Sequence, residues 1–252
     1  MLSRNEIKFL QSLEQKKYRQ EHNLAFIEGK RLILECLQSA YKIKEIFVTE
    51  KFSKNNSSFL KKLGEKQIPI NTCSEKDMDR ISPSKNPQGA AATILLRPSD
   101  NDFIMNEHIL YLDGISDPGN LGTLFRTASW FGITQILLSR DCADPWNSKV
   151  IRSAAGAHFH IDFHFADVET MKAKINDHEL IGAVTNGVKI SDIQLLKKNW
   201  ILVLGSEAHG ISKEFSSILN HKLTIPGTGK PESLNVAVAG GIILNELIKA
   251  EA

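Results

Sequence analysis

The sequence predicts an α/β protein in two parts, a small leading domain over residues 1–100 and a parallel-sheet domain over 101–252. Three observations predict it. Beyond residue 107, apolar runs suited to strands alternate with segments of helical periodicity. Those runs are apolar at successive positions, as in Trp200-Ile201-Leu202-Val203-Leu204, which marks strands covered on both faces and hence a parallel sheet between helices. Between the parts, Arg97-Pro98-Ser99-Asp100-Asn101-Asp102 reads as a linker, and the charge changes sign there. Residues 1–97 carry 18 Lys and Arg against 11 Asp and Glu; residues 98–252 carry 13 against 18.

In the leading part, Ser3-Arg4-Asn5-Glu6 has the form of a capping box, and Ile7, Leu10 and Leu13 keep helical spacing behind it. The same helix carries Lys16, Lys17 and Arg19 near its end, where cations complement the dipole and suit a phosphate backbone. A helix over about 29–40 and a strand over 43–49 follow. A strand over 68–73 then leads to a short helix capped by Ser74. Residues 82–89 are turn formers, and 90–96 return as a strand. In the second part, strands are expected at 109–113, 135–139, 159–163, 180–185, 200–204 and 222–225. Helices fill the gaps at about 121–131, 148–156, 168–176, 212–219 and 234–249.

With 252 residues the chain can bury a full core, and 42% hydrophobic with 24% charged content is ordinary for a globular protein. No apolar run approaches the roughly 18 residues of a membrane span. The charged start Met1-Leu2-Ser3-Arg4-Asn5-Glu6 does not read as a signal peptide. Cys36, Cys73 and Cys142 are isolated, which excludes a C-x-x-C metal or redox pair and fits a reducing cytoplasm. The basic leading part points to a polyanionic partner.

Ligands of parallel sheets gather at the carboxyl ends of strands. Three predicted strands end there in unusual loops: Gly114 to Gly122, Gly205 to Gly210, and Pro226 to Asn235. Gly114 to Gly119 has the spacing of a nucleotide-binding phosphate loop, but Asn120-Leu121 replaces its lysine and hydroxyl, so ATP is excluded. Ser233 is placed to cap the last helix and aim its amides at a ligand. That helix, with Leu234, Val236, Val238, Ile242, Ile243, Leu244 and Leu247, is apolar on more than one face and needs cover from a partner subunit or from its own monomer. His158, His160, Asp162 and His164 alternate along the strand predicted at 159–163. Phe159, Ile161, Phe163 and Phe165 explain the pattern as a half-buried strand, so no metal is expected.

The loops D-P-G-N-L-G-T-L-F-R-T-A (117–128), L-G-S-E-A-H-G-I-S (204–212) and I-P-G-T-G-K-P-E-S-L-N-V-A-V-A (225–239) resemble, in order, the three motifs of the SpoU/TrmH branch of the SPOUT RNA methyltransferases. F-I-E-G-K-R-L-I-L-E-C-L (26–37) and N-P-Q-G-A-A-A (86–92) resemble segments of that family's substrate-binding module, which has a ribosomal-protein-like RNA-binding fold. One departure is Gly227, where members often carry methionine after Ile-Pro.

The resemblance implies transfer of a methyl group from S-adenosylmethionine to a ribose 2′-hydroxyl of structured RNA. Large-subunit (23S) ribosomal RNA is favoured over transfer RNA. It further implies a deep C-terminal trefoil knot and a homodimer with the active site at the subunit interface. Asn120, Arg126, Glu207, Ser233 and Asn235 match the catalytic positions. Leu204, Gly205, Gly210, Ile225, Pro226, Ser233, Leu234 and Asn235, with Thr185 and Asn186, would line the cofactor. Arg4, Lys16, Lys17, Arg19, Lys30 and Arg31 are the candidates for holding RNA. Rival readings are a transfer-RNA ribose methyltransferase and a non-catalytic RNA- or ribosome-binding protein that keeps the fold.

Overall fold

A computed structural model of the chain describes residues 1–97, 105, 108–175, 177–192 and 199–250. The boundary expected near residue 100 and most of its linker lie outside the described residues. The chain separates into two compact units, Met1–Pro98 with Trp146–Arg152, and Ser99–Pro145 with Ser153–Ala252.

The first unit runs α1 (Arg4–Ser12), α2 (Lys16–His22), β1 (Leu24–Glu28), α3 (Lys30–Leu37), β2 (Lys42–Thr49), α4 (Glu50–Asn55), α5 (Ser57–Glu65), β3 (Ile70–Cys73), α6 (Glu75–Ile81) and β4 (Ala90–Leu95). The capping box at Ser3 and Glu6 forms, with both reciprocal hydrogen bonds present. Ser74 caps α6 through the Asp77 amide. The sheet order is β1-β4-β2-β3, with β4 antiparallel to both neighbours and β3 parallel to β2. Ile7, Leu10 and Leu13 pack on Phe26, Phe47, Met78 and Ile81.

The expected single N-terminal helix is two helices. The chain turns at Leu13–Gln15, and Asn23 ends α2 in the left-handed conformation at φ 52°. That break carries a correction. Arg19 is 3% exposed and donates from a guanidinium nitrogen to the Leu13 carbonyl at 2.6 Å. It staples the turn between α1 and α2 and is not available to RNA.

The second unit runs β5 (His108–Asp113), α7 (Pro118–Trp130), β6 (Gln135–Leu138), α8 (Ser148–Ala154), β7 (Asp162–Phe165), α9 (Val168–Lys174), β8 (His178–Lys189), β9 (Asn199–Gly205), α10 (Lys213–Ser216), β10 (His221–Thr224) and α11 (Val236–Lys249). Of α8, residues 148–152 cluster with the first unit and only its last two residues with the second. Six strands in the order β10-β8-β9-β5-β6-β7 make a sheet in which every neighbouring pair is parallel. Trp200, Tyr111, Phe125 and Phe215 are fully buried. The Tyr111 hydroxyl donates to the Ala166 carbonyl at 2.7 Å, so its one polar group is satisfied inside the core.

Two elements shift from expectation. The strand placed at 159–163 begins at Asp162, because Ala157–Phe159 forms a 3₁₀ turn. His158 therefore leaves the polar face for the interior, 1% exposed, its Nε2 bonding the Pro145 carbonyl at 2.7 Å. His164 instead bonds Asp162 at 2.8 Å. Among the described residues no group of three or more His, Cys, Asp or Glu could hold a metal ion. The helix expected at 212–219 is one turn, capped by Ser212. No helix among the described residues is long and apolar enough to cross a membrane.

Strand order locates the functional edge. From β5 the chain moves to one side through β6 and β7. From β9, the neighbour of β5, it moves to the other side, to β10. Connections leaving two adjacent parallel strands in opposite directions open a crevice at their carboxyl ends, the topological switch point where such sheets bind ligands.

Candidate active site at the carboxyl edge of the parallel sheet

The last paired residues of the two switch-point strands are Asp113 and Gly205. Gly114 turns the chain out of β5 at φ 71°, with its amide donating to the Ser139 hydroxyl at 2.8 Å. Asp117 caps α7 by accepting from the Asn120 amide at 2.8 Å, and Pro118 takes the first helical position, where no amide hydrogen is needed. The helix therefore starts with Asn120 in its first turn, facing the crevice.

After β9, Ser206 and Gly210 exchange backbone hydrogen bonds of 2.8 and 3.1 Å and close a tight hairpin. A side chain at Gly205 would run into the backbone of Gly210 and Ile211, so only glycine permits this closure. Asp113 accepts from the Ser212 amide at 2.7 Å and anchors the far end of the same loop. Glu207 is held exposed at the hairpin tip.

The third loop ends in a cap, but not the expected one. Asn235, rather than Ser233, caps α11: its Oδ1 accepts from the amides of Ala237 at 2.9 Å and Val238 at 3.3 Å. Ser233 lies exposed two residues before the cap. The correction follows from where the helix begins, at Val236, which puts the first free amides within reach of Asn235.

These three loops meet in one hydrogen-bonded chain. Asn235 Nδ2 donates to Asn120 Oδ1 at 2.9 Å, and Asn120 Nδ2 donates to Glu207 Oε1. Its direction is fixed by its ends. Helix amides can only donate, so Asn235 must offer them its oxygen and present its NH₂ to Asn120. A carboxylate can only accept, so Asn120 must turn its own NH₂ toward Glu207. Segments 115 and 87 residues apart in sequence are thereby set in a single orientation.

Arg126 lies on the same helix, six residues beyond Asn120, or about 9 Å along the axis. It is exposed and makes no hydrogen bond or ion pair among the described residues. Helix α11 packs against α7, where the absent side chain of Gly240 leaves room for Leu124 and Leu204. Ile225 and Pro226 follow β10 directly, and Leu234 precedes the α11 cap with half its surface exposed. Gly210 sits in the hairpin at φ 68°. Thr185 and Asn186 do not end a strand: β8 runs on to Lys189, and the Thr185 carbonyl accepts from the Thr224 hydroxyl at 3.0 Å, which ties β8 to β10.

Of the RNA candidates on the first unit, Arg4, Lys16, Lys17 and Arg31 are exposed. Lys30 is partly committed, donating to Asn56 Oδ1 at 2.8 Å with its ammonium 5.8 Å from the Phe59 ring. A cavity of about 530 Å³ on this unit, lined by Lys51, Lys54, Asn55 and Ser74 among others, shares no residue with the bonded chain. Asp113 and Asp117 were missed as site residues. Their signals are an acid ending an apolar run, and an acid three residues before Asn120 with proline between.

Comparison with known proteins agrees with this geometry. Residues 107–245 match the SpoU rRNA Methylase family, and residues 4–92 match the MRM3-like substrate binding domain. The 23S rRNA (guanosine(2553)-2′-O)-methyltransferase RlmP of Bacillus subtilis is 31% identical over 96% of this chain and 95% of its own length. A putative RNA methyltransferase of the TrmH family from Porphyromonas gingivalis superposes with a TM-score of 0.85 at 34% identity, covering 98% of both chains. An AdoMet-bound rRNA methyltransferase from Sinorhizobium meliloti superposes with a TM-score of 0.86 at 27% identity, covering all of this chain and 97% of the other. By the match of its second unit, by a relative that spans nearly its whole length, and by fold, the chain belongs to the SpoU/TrmH family of RNA methyltransferases.

Proposed function

We propose that this protein transfers a methyl group from S-adenosylmethionine to a ribose 2′-hydroxyl of 23S ribosomal RNA. The observation that carries the reading is the Asn235–Asn120–Glu207 chain at the switch point, with Arg126 exposed on the helix that bears Asn120. The relatives named for ribosomal RNA support the substrate class.

The loops suit the cofactor's chemistry. S-Adenosylmethionine carries a sulfonium cation and a flat base. The second loop, 205–210, holds no lysine or arginine and presents one exposed carboxylate, Glu207. Main-chain groups of Leu204, Gly205, Gly210, Ile225, Pro226 and Leu234 would hold the adenosine part, with Thr185 and Asn186 completing the wall. When bound, the cofactor supplies an activated methyl group.

The rest is the work of the chain's own residues. Asn120, held from both sides, is fixed in place to orient the attacking hydroxyl. Arg126 stabilises the negative charge that develops on the 2′-oxygen or grips the neighbouring phosphate. A guanidinium keeps its proton to above roughly pH 12, which makes charge stabilisation its role rather than proton abstraction. Glu207 orients Asn120 and complements the sulfonium charge. Ser233, exposed two residues before the α11 cap in the same loop as Asn235, contributes to placing substrate.

The exposed cations Arg4, Lys16, Lys17 and Arg31, with Lys30, hold the RNA backbone. Val238 and Ile242 stand one turn apart on α11, 52% and 39% exposed, and Leu234 before the cap is 49% exposed; a second copy of this chain covers these apolar side chains in a homodimer. The knot belongs to the same reading. What supports it is the return of α11 from the edge strand β10 to α7 and β9 in the middle of the sheet. Three free, buried cysteines fit the reducing cytoplasm.

The test is calorimetric titration of the purified protein with S-adenosylmethionine, joined to mapping of 2′-O-methyl groups in RNA from cells with and without it. One missing methyl group in 23S RNA is the expected result. A site in transfer RNA would move the substrate, and absence of cofactor binding would remove the enzyme.

A further inference from the structure

Two side chains of the segment 113–120 reach the loop 205–212 by hydrogen bonds, and they differ in duty. At the tip of the loop, Glu207 meets Asn120, which is placed to orient the attacking hydroxyl. At its base, Asp113 Oδ2 accepts from the Ser212 amide at 2.7 Å. Asp113 ends β5 and pairs with Gly205, the end of β9, so one strand end holds both ends of the loop. A side chain at the next residue, Gly114, would lie 3.6 Å from that of Ser206, so the two loops leave the sheet side by side. Within the loop, Ser206 and Gly210 bond each other, and the His209 amide donates to the Ser206 hydroxyl at 3.1 Å. Those bonds shape the hairpin internally. Where it stands over the strand ends is set by Asp113 and Asn120.

A loop that binds through main-chain groups is effective when those groups are ordered before the ligand arrives, because binding otherwise bears the cost of ordering them. We infer that Asp113 is a positioning residue for S-adenosylmethionine: through the Ser212 amide, its carboxylate sets the main chain of Gly205 to Gly210 in its binding shape. The inference rests on the proposed function and adds a division of labour along residues 113–120, with Asp113 governing cofactor affinity and Asn120 governing rate. Both bonded groups belong to one chain and one unit, so the assignment holds for a monomer and for a dimer. A competing role is the charge alone, since a carboxylate at this edge attracts a sulfonium cation. The two roles separate chemically: an amide oxygen accepts a hydrogen bond as a carboxylate does and carries no charge.

The full-length protein carrying Asp113→Ala, Asp113→Asn or Ser212→Pro tests it. Each is titrated with S-adenosylmethionine in a calorimeter, and kcat for methyl transfer to unmodified 23S RNA is measured at saturating cofactor. Alanine removes the acceptor, so its Kd should rise about 10-fold, the scale of one lost hydrogen bond to a charged group. Asparagine still accepts from the Ser212 amide, and its Kd should stay within about 3-fold of the parent. Proline removes the donor with the carboxylate in place, at a residue whose φ of −55° already suits it, and should match alanine. In all three, kcat should hold within about 3-fold, since Glu207 and Asn120 are untouched and only a transition-state contact lowers it. An alanine variant that binds like the parent overturns the inference. So does an asparagine variant as weak as alanine, which would assign the effect to charge. Loss of kcat in step with affinity would mark a general structural role and overturn it too. A parent that binds no S-adenosylmethionine removes the enzymatic reading and this inference with it, whereas the other failures leave that reading standing.

Discussion

Arg126 is exposed on α7 and has no hydrogen bond or ion pair among the described residues. Its contribution rests on the planar fork of the guanidinium, which can address an oxygen and an adjacent phosphate together. Arg126→Lys keeps the charge and loses the fork. We expect kcat to fall by about 10²-fold in either Arg126→Lys or Arg126→Ala, with cofactor affinity held within about 2-fold. Single-turnover methyl transfer and calorimetry measure the two quantities separately. Recovery of most of the rate in Arg126→Lys would show that a point charge suffices.

His158 acts through stability rather than chemistry. Burial pushes its pKa down to about 4, against 6.5 for an exposed histidine, and its Nε2–H donates to the Pro145 carbonyl. Its ring also lies 5.0 Å from that of Phe125, on the inner face of α7. Between pH 6.5 and pH 4 the unfolded chain takes up a proton that the folded chain refuses. The stabilisation present above pH 6.5 is therefore lost as the pH falls through that window, on the order of 3 kcal/mol in full. Urea unfolding at pH 7.5 and pH 4.5 should show a smaller loss in His158→Phe than in the parent. Equal losses would mean that the ring takes up its proton without unfolding.

At the scale of the element, the last helix and its cap carry two duties in one side chain. Asn235 closes the α11 terminus with its oxygen and steers Asn120 with its nitrogen. Asn235→Asp keeps an acceptor for the helix amides and abolishes the donor to Asn120. Asn235→Ala removes both. Alanine should therefore cost about 1 kcal/mol of stability that aspartate does not, while both variants lose methyl transfer. Thermal unfolding and the transfer assay separate the two duties, and an active Asn235→Asp would show that steering Asn120 is unnecessary.

The same helix shows what the sequence disclosed and what it withheld. The parallel strands were legible because they are apolar at successive positions, and Asp117, Pro118 and the helix after them because cap chemistry is local. The α11 cap was misassigned to Ser233, since a serine and an asparagine two residues apart are equally good caps and only the helix start, set by packing of Val236 and Ala237, decides between them. Strand β1 was missed although Asn23 and Gly29 bracket it, because Leu24–Glu28 is only five residues long and its pairing partner, β4, lies about 65 residues on. Arg19 was misread for a related reason: a cation beside two exposed lysines gives no local sign that a distant-facing carbonyl has claimed it.

For the whole molecule, the two exposed surfaces predict separable behaviours. Val238 and Ile242 stand one turn apart on α11, and a charge at both positions should prevent a second copy from covering them. We expect the double variant Val238→Asp with Ile242→Asp to run as a monomer in light scattering and to lose methyl transfer while remaining folded by circular dichroism. A dimeric double variant would place the interface elsewhere.

The basic leading part speaks to RNA rather than to a second subunit. Its surplus of positive charge survives the removal of Arg19, because Lys16, Lys17 and Arg31 remain exposed. If these side chains neutralise phosphates, each contributes released counterions, and the slope of log affinity against log salt counts them. Replacing all three with glutamine should make that slope shallower by about 2 to 3 and weaken RNA binding at low salt far more than at high salt. The affinity for S-adenosylmethionine, whose candidate residues all belong to the second unit, should not change. A slope equal to the parent's would show that these cations serve only the solubility of the surface, and the RNA would have to be held by other residues.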